Sequence, residues 1–178
     1  MRRLMLFVLG LTAAFVLVPT TAVADSANHS YMLVMEHPNF GLAPNGDRIA
    51  IEGGVDFSVN PKSAEGGGSF THRNAGGTVL ATGRWEANGL LDYQSYGCGV
   101  VFGQTIPDNL CGGKVKVSVT LFTPLGDLPG TLTVFCVIGP NPPDAIFATH
   151  GEGATLSVPG VINFNTADGG DNTIVQTG

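Results

Sequence analysis

From Lys114 to Leu121 the chain reads Lys-Val-Lys-Val-Ser-Val-Thr-Leu, polar and aliphatic side chains alternating at every step. Successive side chains of a strand leave opposite faces of the pleat, so this period of two marks a strand with one buried and one wet face. Ile49, Ile51, Val55, Phe57 and Val59 repeat the pattern, with Glu52, Asp56 and Ser58 on the other face. No window of a dozen residues carries the 3.6-residue stripe of an amphipathic helix. The chain therefore reads as all-β.

Twenty-six glycines and eleven prolines punctuate these runs. Ser69–Arg73 and Thr78–Glu86, joined by Asn74-Ala-Gly-Gly77, predict a hairpin. Asn88-Gly89 predicts a second tight turn, introducing Leu90–Tyr96, and Pro124–Gly130 a turn before the run from Thr131 to Ile138. Pro140-Asn-Pro-Pro143 breaks the pattern, and Ile146–Val158 and Val161–Phe164 supply the last strands. From about residue 166 the chain turns polar, and 168–178 reads as a loosely ordered tail or a final edge.

The expectation is an antiparallel meander of seven or eight strands in one domain. Two architectures fit, a small β-barrel and a two-sheet β-sandwich. Glycines within strands (Gly53, Gly54, Gly83, Gly97, Gly99) favour the barrel, because closure needs bulges and tight curvature. This architecture is similar to that of small secreted β-barrels of the lipocalin-like or dirigent type, although no motif residue carries over from them.

Met1-Arg2-Arg3, the 15-residue apolar run Leu4–Val18 and the small-residue pattern Ala22-Val23-Ala24 follow the order of a secretory signal peptide. The run falls short of the roughly 20 residues of a membrane-spanning helix. Residues 1–24 are expected to be removed, leaving 25–178 as a secreted domain, extracellular or periplasmic, with no membrane span. It would carry six basic and fourteen acidic residues, a net charge of about −8. Six scattered cations form no phosphate-neutralising face, which argues against nucleic acid as a partner. Edge strands leave self-association into a homo-oligomer open.

Of the three cysteines, Cys98 and Cys111 flank a turn-like segment containing Pro107-Asp108-Asn109 and are expected to form a disulfide. Cys136 shares a face with Leu132, Val134 and Ile138 and reads as a small buried hydrophobe. Cys136 paired with either of the others is the rival arrangement.

Strand parity gives the candidate site. His72 shares a face with Phe70, and His150 and Glu152 share one with Ile146, Ala148 and Leu156. If the apolar members point inward, His72, His150 and Glu152 meet inside the shell, where a histidine beside a carboxylate serves as acid and base. Asp92, Tyr93 and Trp85 are candidate pocket residues, with Glu86 near them, although the parity of Trp85 also fits the core. Asn45-Gly-Asp47 reads as a plain turn. No cofactor motif is present, and no His-x-x-x-His spacing marks a metal site.

Serine-hydrolase elbows and phosphate loops are missing too. The leading reading is a secreted domain that binds a small or apolar ligand or a surface partner. The alternatives are a pocket enzyme of isomerase, cyclase or lyase type acting through His72, His150 and Glu152, and a structural component of the cell envelope.

Overall fold

The computed structural model describes residues 29–144 and 151–178. The leader, the strand start at Ile146 and His150 lie outside the described residues.

The elements are β1 (Ser30–Leu42), β2 (Arg48–Val59), β3 (Lys62–Arg73), β4 (Val79–Cys98), β5 (Val100–Val101), β6 (Gln104–Thr105), β7 (Leu110–Thr123), β8 (Gly126–Cys136), β9 (Gly153–Val158), β10 (Ile162–Phe164), β11 (Thr166–Ala167) and β12 (Asp171–Gln176). Among the described residues, eight of these strands are six residues or longer, and every pairing is antiparallel. The chain is all-β, as the alternation requires.

Strands β1 to β4 run as successive hairpins, and β4 goes on to pair with β7. β7 also meets β12, which lies against β1, so six strands close a ring. The closure is narrow: β12 and β7 pair only at Ile174–Cys111 and Val175–Leu110. From Gly113 onward the same edge of β7 belongs to β8, which leads through β9 to β10. This three-stranded extension folds back until β9 packs against β1. The arrangement combines the closed hydrogen bonding of a barrel with the second layer of a sandwich.

Two expectations are corrected here. Asn88-Gly89 makes no turn; it sits inside the 20-residue β4, where the register with β7 shifts between Ala87 and Gly89. β4 serves two sheets, pairing with β3 up to Glu86 and with β7 from Arg84, and such bulges let one strand turn that corner. The segment 168–178 is neither a loose tail nor an outer edge, because β12 inserts between β1 and β7 and buries Ile174 completely. β1 itself carries no clean alternation, since Pro38 falls where its register shifts between Met35 and Asn39.

One face of each long strand builds the core: Leu33 from β1, Ile49, Ile51 and Val55 from β2, Phe70 from β3, Val115, Val117 and Val119 from β7 and Ile174 from β12. Leu132 and Val134 of β8 and Leu156 of β9 complete the same cluster, so the extension and the ring share one interior. Each such side chain contributes about 1.5–3 kcal/mol on burial. Gly41 lets the layers touch. A Cβ there would stand 2.9 Å from the Ala154 carbonyl oxygen and 3.2 Å from Phe164 Cβ.

The Cys98–Cys111 disulfide is present and joins directly opposed residues of β4 and β7. It closes off the β5–β6 excursion, and Cys136 remains a free, buried thiol.

Candidate functional site

β4 and β7 stop pairing beyond Arg84 and Phe122, so Val79–Gly83 follow β3 while Thr123 turns with β7 into β8. The divergence opens a cleft of about 590 Å³ between the ring and the folded-back extension. Its floor is Ile49, Phe70, Leu156 and Phe164, all buried, and its rim is Leu80, Leu125 and Val161, all exposed. Leu125 lies in the β7–β8 turn and is 100% exposed, so the apolar lining continues out to the mouth.

Among the described residues, two polar side chains line this cleft, His72 and Thr123. The Thr123 hydroxyl donates to the Gly126 carbonyl at 2.8 Å and accepts the Leu125 N–H at 3.1 Å, which commits it to the turn. His72 stands edge-on to the Phe164 ring, centroids 5.1 Å apart. Its Nε2 lies 2.9 Å from Asp47 Oδ2. Asp47 ends the β1–β2 turn, held there by the Ala43 N–H on its carbonyl oxygen and by its own N–H on Asn45 Oδ1. The hydrogen bond from His72, with further ones from Asn45 and the Ala75 backbone, holds the Asp47 carboxyl below the usual carboxylate range. Asp47 is therefore the anion of the pair, and Nε2 carries the proton toward it. Asn45-Gly-Asp47 forms the plain turn its sequence predicts, and nothing local to it signals the contact with His72.

Glu152 sits elsewhere, just before β9 and beside the seam between β8 and β12, which share an edge of β7 without pairing with each other. It lines a second depression of about 450 Å³ together with Asn172 and Asp171, so His72 and Glu152 do not share a cavity. One Glu152 oxygen accepts the Val137 N–H at 2.9 Å and the other the Asn172 N–H at 2.6 Å. Asn172 extends the bridge, its side-chain amide donating to the Phe135 carbonyl at 2.9 Å and exchanging hydrogen bonds with the amide of Asn39. The Cys136 thiol donates to the Asn172 carbonyl at 3.1 Å. Together these side chains replace the ladder that β8 and β12 cannot form. Burial raises the Glu152 carboxyl above its ordinary value against the opposing backbone hydrogen bonds, and burial with the nearby Glu152 charge pushes the Cys136 thiol up to about 12. A thiol so far from ionising is a poor nucleophile.

The remaining candidates do not converge. Trp85 is 2% exposed, and its Nε1 donates to the Glu52 carbonyl at 3.0 Å, which places it in the core. Tyr93 packs with Tyr31 and Phe57 at ring distances of 5.0 Å, and its hydroxyl donates to the Gly112 carbonyl. Burial pushes that phenol up to about 12. Asp92 is exposed on β4 opposite Lys116, and Glu86 is an exposed partner of Arg84. Among the described residues, no three His, Cys, Asp or Glu side chains gather as a metal site. No family model matches the chain, nor does any curated protein or solved structure.

Proposed function

We propose that the protein binds a small apolar ligand in the cleft between the ring and the extension, as an exported binding domain. The observation that carries this reading is the cleft itself. It is large enough for a small organic molecule, almost wholly apolar, and continuous with exposed Leu80, Leu125 and Val161 at its rim. Exposed aliphatics gathered at one mouth cost solubility, and an apolar occupant offsets that cost. A disulfide suits an oxidising compartment, in keeping with the leader-like N-terminus.

The test is titration with an environment-sensitive apolar dye, repeated with Ala81→Trp, which sets an indole beside His72 at the mouth. Saturable dye binding in the parent and none in the folded variant supports the cleft. Equal binding by both overturns it.

The Asp47–His72 pair also supports a second reading, an acid–base enzyme in which a carboxylate orients the imidazole. Deuterium uptake at the α-carbons of small ketones in D2O, lost in His72→Leu, would support it, and no uptake in either protein would refute it.

A further inference from the structure

Among the described residues the cleft is lined by one basic side chain, His72, and its chemistry selects a ligand class. His72 makes a single hydrogen bond among the described residues, through Nε2 to Asp47. No buried side-chain nitrogen or oxygen among those residues lacks a partner, so the unbonded Nδ1 is reachable from outside. His72 also lines the cavity, which makes the cavity the route by which a ligand would reach it. With the Nε2 proton directed at Asp47, Nδ1 is the ring nitrogen that serves as an acceptor whenever the imidazole is uncharged. Thr123 Oγ1 has its proton and one lone pair committed to its turn, and a hydroxyl oxygen is a weaker acceptor than an imidazole nitrogen.

We propose that the occupant is a hydrophobic alcohol or phenol whose O–H is donated to His72 Nδ1 while its hydrocarbon body lies against Phe70, Leu156 and Phe164. This rests on the apolar-ligand reading and deepens it. An ether or ketone of the same shape offers Nδ1 no proton. A carboxylate brings a second negative charge beside Asp47, and the dry wall does little to screen it. A hydrocarbon fills the cleft but leaves Nδ1 without a partner, at the cost of the water it displaced.

Four probes with one body separate these cases: naphthalene, 1-naphthol, 1-methoxynaphthalene and 1-naphthoate, each measured by calorimetry or by displacement of the apolar dye. The expected result is 1-naphthol binding about tenfold more tightly than the methyl ether and the naphthoate, a ratio of the size one hydrogen bond supplies. In His72→Leu the naphthol advantage should vanish while naphthalene still binds. In the parent, the ¹⁵N resonance of His72 Nδ1 should move on adding naphthol and stay in place on adding the ether.

Equal affinities for naphthol and its methyl ether, or naphthoate as the tightest probe, would overturn the hydroxyl assignment while leaving the apolar pocket intact. Failure of all four probes to bind would instead overturn the pocket reading beneath it. The four-probe comparison in the parent protein decides the matter even if the variant does not fold.

Discussion

Two carboxylates, Asp47 beside the cleft histidine and Glu152 at the β8–β12 seam, are used by the molecule in opposite ways. At the seam, β12 and β8 take successive stretches of one β7 edge without pairing with each other, and both Glu152 oxygens are spent on backbone N–H groups of buried residues. At the cleft, β4 and β7 part at the surface, and Asp47 is spent on a histidine whose second nitrogen stays open. Buried backbone donors must be satisfied, so a carboxylate at an internal gap becomes part of the scaffold. In the β1–β2 turn Asp47 accepts from a side chain as well as from the turn, and so orients His72. Parity alone placed His72 and Glu152 together; what separates them is which kind of gap each one borders.

The largest effects should fall on side chains common to wall and core. Phe164 floors the cleft and is 1% exposed, so Phe164→Ala should cost about 4 kcal/mol in chemical denaturation. A cost under about 1 kcal/mol would mean that the extension is not packed on the ring. Glu152→Ala strands two buried donors and should cost about 3 kcal/mol, a fall in Tm of about 10 °C. His72→Leu should leave Tm within a few degrees. Equal losses in these two variants would erase the distinction between seam and cleft.

Much of the fold was legible because burial writes itself into alternation. β2 buries Ile49, Ile51, Val55 and Phe57, β7 alternates from Gly113 to Leu121 and β8 from Leu132 to Cys136, and the Asn74–Gly77 hairpin forms through the Gly77 N–H and the Asn74 carbonyl. The Cys98–Cys111 pairing followed from local spacing. What did not show was anything that depends on long-range register. β12 looks polar because only Asn172 and Ile174 are fully buried in it, and one of those is an amide whose partners lie on β1 and β8. The Asp47–His72 contact depends on the β2–β3 register, in which Arg48 faces Arg73 and the residue before Arg48 thereby comes within reach of His72. Nothing local to either residue announces it.

Smaller effects probe how the two sites are held. Reducing Cys98–Cys111 removes the staple beside the two-pair closure of β12 on β7, and the shortened loop is worth up to about 3 kcal/mol. Because Cys111 is itself a closure residue, hydrogen exchange should speed up first at Ile174 and Val175, with cleft amides lagging. Uniform acceleration would show that the closure is no weaker than the rest of the ring.

The pH dependence should split by sign. Glu152 is raised on folding, so its contribution is present below its unfolded pKa and lost as pH rises through the folded value; Glu152→Gln should flatten that decline. Asp47 is lowered, so its contribution is present above its unfolded pKa and lost as pH falls through the folded value; Asp47→Asn should flatten the acid limb instead. Tm measured against pH for both variants checks this, and slopes of the same sign would contradict the comparison.

The smallest expected change in stability is also the most specific to the cleft. Leu125 is fully exposed and packs on nothing that folding requires, so Leu125→Ser should move Tm by no more than about 1 °C, as surface substitutions do. It nevertheless removes an isobutyl group from the mouth, and dye affinity should fall severalfold if the occupant reaches the rim, each buried methylene being worth about 0.8 kcal/mol. Unchanged affinity would confine the ligand to the floor beside His72, and a large loss of stability would make the β7–β8 turn part of the scaffold, as the seam is.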